Sequence, residues 1–192
     1  MNAMKWTGKA IRAIGLGLMF STVVLGFTHA RAADSTQPSM MAAPPPMMDS
    51  TLMSWVGTWG GDVMVSGQAM YGEAVFTPAV GHQWMQGAFR MWTDKTKKTP
   101  VPMEFMMYLR PTTTPGTYKA VNVASDGTGA TATVVFTNGV GNWSWTYDND
   151  TKEAGTLTRM SADHLVYKGT VSDKAGNTLM EITQDMNRIG AK

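Results

Sequence analysis

Nine turn signals cut residues 55–188 into ten short runs, and no stretch in that interval sustains a 3.6-residue period. The punctuation is Ser66-Gly67, Ala79-Val80-Gly81, Asp94 to Pro102, Pro111 to Gly116, Ser125-Asp126-Gly127, Asn138-Gly139, Asp148-Asn149-Asp150, Ser161-Ala162-Asp163 and Asp173 to Gly176. Gly, Pro, Asn and Asp bend a chain because they tolerate left-handed backbone, pre-set φ or bond their own backbone. The runs between them are rich in Val, Thr, Trp, Tyr and Phe, which suit a pleated surface. The spacing predicts strands at 55–65, 68–77, 82–93, 103–110, 117–124, 128–137, 140–147, 153–160, 164–172 and 177–188. Leu52 to Trp55 reads as one helical turn at most.

Several runs alternate with period 2. Trp143, Trp145 and Tyr147 oppose Asn142, Ser144 and Thr146. Leu165, Tyr167 and Val171 oppose His164, Lys168 and Thr170, and Met180, Ile182 and Met186 oppose Glu181, Thr183 and Asp185. One apolar face per strand with short connections implies an antiparallel meander. Ten meandering strands must hide two edges, and closure into a barrel removes both. A two-sheet sandwich is the alternative. Strands three and four are apolar on both faces. Met85, Phe89 and Met91 oppose Trp84 and Trp92, while Phe105, Met107 and Leu109 oppose Met106 and Tyr108. Such strands are expected to line a lumen inside and to meet something outside.

The first strand carries Trp55-Val56-Gly57-Thr58-Trp59, and Arg188 ends the last. A Gly-x-Trp at the start of an up-and-down barrel resembles the calycins: lipocalins, fatty-acid-binding proteins and their relatives. Trp55 to Asp62 together with Arg188 resembles more closely a bacterial lipocalin-like family of secreted and cytosolic proteins, with the nitrobindin-type barrels a more distant comparison. The resemblance covers residues 52–189. It implies a barrel with an internal cavity and a binding rather than catalytic role. It also implies that a basic side chain of the final strand covers the first strand's Trp, here Arg188 on Trp59. The nitrobindin axial ligand is a His near the C-terminal end; residues 177–192 contain none, so no cofactor is expected.

Before the barrel, residues 1–32 read as a secretory signal: Lys5, Lys9 and Arg12, an apolar run from Ala13 to Phe27, then Ala30-Arg31-Ala32 as a cleavage site. The run is short for a bilayer span. The mature chain is therefore expected to be periplasmic or secreted, with no membrane span. Residues 33–50, with Pro44-Pro45-Pro46, read as a flexible linker, leaving 51–192 for the barrel. Composition now becomes informative. The chain is net +2, but four of its sixteen basic residues lie in the acid-free leader, leaving twelve against fourteen acids. That removes the electrostatic case for nucleic acid. With no Cys, disulfides and thiolate chemistry are excluded.

No nucleophile elbow, phosphate loop or zinc-protease motif is present, and His82 and His164 begin different strands. Glu153 and Asp163 have no apolar setting visible in the sequence. A non-enzymatic protein is expected. Methionine is abundant: fifteen of the 160 residues after the leader. In the barrel such flexible side chains fill irregular cores and line adaptable surfaces. The expected ligand is a small apolar or amphipathic molecule, lined by Met85, Phe89, Met91, Met107, Trp143 and Trp145. Two alternatives stay open. One is copper(I) handling by the linker thioethers of Met40, Met41, Met47 and Met48. The other is an envelope interaction protein whose barrel is solid.

Overall fold

A computed structural model describes residues 47–190. The leader and the linker residues Met40 and Met41 fall outside them. One short helix, α1 (Ser50–Met53), precedes ten strands: β1 (Gly57–Val65), β2 (Gln68–Ala79), β3 (Trp84–Trp92), β4 (Pro100–Pro111), β5 (Thr117–Ala124), β6 (Gly129–Thr137), β7 (Val140–Tyr147), β8 (Lys152–Ser161), β9 (His164–Ser172) and β10 (Thr178–Arg188). Every strand pairs antiparallel with its sequence neighbours, and β1 pairs with β10 from Trp59↔Arg188 to Val65↔Ile182. The sheet is therefore a closed barrel and not a sandwich. Closure gives each backbone edge a partner, which removes the exposed ladders a ten-strand meander would otherwise carry.

Most strands shift a bound by one to three residues, and two of the boundary differences have a plain physical reason. β4 begins at Pro100, inside the segment read as a turn. Proline cannot donate to a ladder, so Pro100 and Pro102 argued against a strand. The structure accommodates them where the register slips between Arg90↔Glu104 and Trp92↔Pro100, a bulge that leaves ladder groups unpaired. The helical turn lies at 50–53 rather than 52–55, because Asp49 starts it: Asp49 Oδ1 accepts from the Leu52 N–H at 3.0 Å.

The linker was expected to run through residue 50, yet its last residues belong to the barrel. The Met48 N–H donates to the His82 carbonyl at 3.0 Å, and the Tyr118 hydroxyl donates to Asp49 Oδ2 at 2.6 Å. The His82 carbonyl is presented by a tight turn in which Val80, Gly81 and His82 all have positive φ. Residues 48–56 thus form a stopper across one end of the barrel. Its core is Trp55, whose ring lies 5.7 Å from Phe76, 5.5 Å from Phe136 and 6.1 Å from Trp143. Leu52 beside it is fully buried.

The stopper is held from the last strand. The Arg188 guanidinium stacks over the Trp59 ring, 4.2 Å from its centroid. It donates to the Val56 carbonyl at 2.6 Å, to the Ser54 carbonyl at 2.9 Å and to Asp163 Oδ1 at 2.7 Å. Arg159 reaches the Ser54 hydroxyl, and Trp59 Nε1 donates to the Trp55 carbonyl at 2.7 Å. A planar fork can stack and bond several acceptors together, which a lysine ammonium cannot. Arg188→Ala loses the stack and strands two carbonyls, so it should cost about 2–3 kcal/mol. Arg188→Lys should cost less but remain destabilising. Urea unfolding midpoints measure both, and neutrality of both substitutions would refute this account of closure.

Candidate functional site

Strand alternation sorts the barrel's inner face into two halves. At the stoppered end, Trp59, Met85, Leu109, Tyr118 and Val134 are each at most 1% exposed. At the opposite end the inner side chains Phe89, Met91, Met103, Phe105, Asn122, Tyr147, Ile182 and Gln184 are only half-buried. The two halves are joined by a line of aromatics. Phe89 meets Phe76 edge-on at 5.5 Å and stacks on Phe105 at 4.6 Å; Trp143 stacks on Trp145 at 5.6 Å.

This layout separates the residues expected to line a site. Phe89 and Met91 stand in the open half. Met107, Trp143 and Trp145 form a buried middle layer, at 5–7% exposure. Met85 is fully buried at the stoppered end, paired across strands with Leu109 and Pro78, and does not reach the open half. Of the linker thioethers, Met47 is exposed while Met48 packs against the core cluster. One small pocket of about 10 Å³ in the lumen is ringed by Val63, Gly72, Phe89, Met91, Phe105 and Gln184. That is room for roughly one water. A larger concavity of about 490 Å³ lies outside, on β7 to β10, over Asn142, Thr156, Lys168, Thr170, Glu181 and Thr183. It is an open hydroxyl-rich saddle, and Trp143, whose Nε1 is buried without a partner, also lines it.

The chemistry of the open half comes from a carboxylate for which the sequence showed no apolar setting. Glu153, second in β8, is the one buried polar or charged residue among those described, at 6% exposure. Tyr147 donates to its Oε2 at 2.5 Å, and Tyr167 donates to its Oε1. The wall beside it is bare by necessity. A Cβ on Gly169 would stand 2.8 Å from the Tyr167 hydroxyl and 2.9 Å from Glu153 Oε1, and Gly155 opposite it meets the same ring. Two further buried atoms have no partner: Asn122 Oδ1 and Trp143 Nε1. The sequence signal was the alternation of Glu153, Gly155 and Leu157 on one face of β8. It was too short to show that tyrosines from β7 and β9 would converge on the carboxylate.

Elsewhere the polar groups are occupied locally. His164 pairs with Asp185 at 2.8 Å and His82 is exposed in its turn. No cluster of three His, Cys, Asp or Glu occurs among the described residues. Outside the barrel, Trp84 lies under Arg110, and Lys97 lies over both Tyr71 and Trp92, at 5.3–5.6 Å.

The tyrosines carry a pH consequence. Burial first, and the Glu153 charge second, raise the Tyr147 and Tyr167 phenols well above the ordinary 10.0. Burial, then the hydrogen bond to Asp49, pushes Tyr118 up to about 12. A folded pKa above the unfolded one means that the native state holds more protons at high pH. Stability is then complete below pH 10 and lost as pH rises through the folded values. The urea midpoint should fall above pH 10, and less steeply in Tyr167→Phe. Phenolate absorbance from Tyr147 and Tyr167 should appear only with unfolding; their titration in the folded protein would contradict the burial argument.

No known family's sequence pattern matches the chain, and no curated protein sequence does. Among solved structures, the chain is similar to the crystal structure of Rv2717c from M. tuberculosis, with a TM-score of 0.58 and 15% identity over 72% of this chain and 95% of that one. A de novo designed fluorescence-activating β-barrel matches with a TM-score of 0.38 and 14% identity, over 74% of this chain and all of that one. The redesigned barrel mFAP0, bound to DFHBI, matches with a TM-score of 0.38 and 18% identity, over 70% of this chain and 99% of that one. At this identity the first of these shows the antiparallel barrel fold and nothing finer.

Proposed function

We propose that the chain is an exported, non-enzymatic binding protein of calycin-like kind, taking a small amphipathic molecule at the open end of its barrel. One observation carries the reading: the ends are unlike, one sealed by the α1 stopper and the other left with half-buried Phe89, Met91, Met103, Phe105 and Ile182 on its inner wall. Apolar side chains left partly wet lose free energy when a ligand covers them, about 25 cal/mol per Å². The pocket beside Phe89, Met91 and Phe105 is only about 10 Å³, so entry there requires methionines to change rotamer. An unbranched thioether with three rotatable bonds does so at low cost. No helix among the described residues is long and apolar enough to cross a membrane.

A second reading rests on the opposite surface. Val75, Ala88, Met106 and Val123 form one row across β2 to β5 on the outer face, with Val75 and Val123 more than two-fifths exposed. That row suits a protein partner. The readings separate with 1-decanol, an uncharged probe. Decanol should change tryptophan fluorescence in the parent and in the outer-face variant Met106→Asp, and should leave the inner-face variant Met91→Asp unchanged while that variant stays folded. Equal responses in both variants would remove the open end as the site.

A further inference from the structure

Among the described residues, the inner wall of the barrel's open half carries one charged side chain, Glu153, and its sign selects a ligand class. By strand alternation, no Lys or Arg among the described residues points inward there; the inward arginines, Arg159 and Arg188, are at the stoppered end holding residues 54 and 56. Glu153 is therefore alone in an apolar, low-dielectric surround. Two phenols donate to it, one to each oxygen, while a carboxylate has about four lone-pair sites. Two sites stay open for a donor.

A second acceptor lies on the same wall. Asn122 pairs with Ala130 and Ala130 with Tyr147, so the three form one inner row across β5, β6 and β7. The middle residue carries only a methyl. Asn122 Oδ1 is buried without a partner. A buried acceptor left unmade is costly, and the cost is recovered when a donor arrives. Trp145 is directly opposite Glu153 across β7 and β8, offering an aromatic face beside the carboxylate. Anion, orphan acceptor and aromatic face together describe a receptor for a cation with N–H donors.

We infer that the ligand of the open end is a cationic amphiphile, an apolar chain or ring system carrying a protonated amine, whose ammonium bonds Glu153 and Asn122 while its apolar part lies against Phe89, Met91 and Phe105. The inference rests on the open-end reading above and names its substrate class. A fatty carboxylate has the same apolar part but brings its charge against Glu153 with no inward cation to receive it.

Three probes of one chain length test it by calorimetric titration below micelle formation: decylammonium, 1-decanol and decanoate. The parent protein should bind decylammonium at least about tenfold more tightly than decanoate, as one charge-assisted contact requires. Glu153→Gln should bring the two within about twofold and leave decanol unchanged. Asn122→Ala should weaken decylammonium alone, a readout that holds if Glu153→Gln does not fold. Decanoate binding as tightly as decylammonium to the parent overturns the head-group inference while decanol binding keeps the open-end site. Failure of all three probes overturns the open-end reading itself.

Discussion

Closure of β1 on β10 is the constraint on which the rest depends, and Arg188 is where it is enforced. Strand pairing alone fixes register but leaves the barrel's two ends equivalent. Arg188 breaks that equivalence. It sits opposite Trp59 in the closing ladder, stacks on it, and bonds the carbonyls of Ser54 and Val56. The segment before β1 is thereby folded back over its own end of the barrel. Leu52 and Trp55 then enter the lumen and complete an aromatic cluster with Phe76, Phe136 and Trp143.

From that asymmetry follows the division of labour along the barrel axis. The stoppered half has the dense aliphatic and aromatic packing that gives a small domain its stability. The open half is relieved of that task, and carries groups a stability-driven core would exclude. A carboxylate desolvated with two phenols gains little net free energy over well-packed apolar residues of the same volume. An aromatic line through Trp143 and Trp145 joins this half to the stopper, so the ligand proposed for the open end would be sensed by buried tryptophans.

Much of this was legible in the sequence, and the parts that were not share a cause. The nine turns and the period-2 faces located all ten strands because both signals are local. The β4 start was missed because proline's local preference was overridden by a bulge that depends on β3. Met48 and Asp49 looked like linker because their partners, His82 and Tyr118, are 34 and 69 residues away. The candidate lining was read from apolarity, which does not tell Phe89 and Met91, in the open half, from Met85, buried at the stoppered end. The setting of Glu153 was invisible for the complementary reason. Its meaning comes from Tyr147 and Tyr167 on flanking strands and from the absent side chains of Gly155 and Gly169.

The glycine pair shows how closely packing and chemistry are tied here. Gly155 and Gly169 face each other across β8 and β9, each lacking a side chain on the inner wall. Inside a strand such residues weaken local preference by roughly 0.5–1 kcal/mol against alanine. What they admit is the Tyr167 ring, laid along the wall so that its hydroxyl meets Glu153. An alanine at either place would improve strand propensity and displace the phenol. The carboxylate would then keep one donor and face the lumen less constrained. The local cost in β8 and β9 is therefore the condition for holding a charge in a fixed position at the open end.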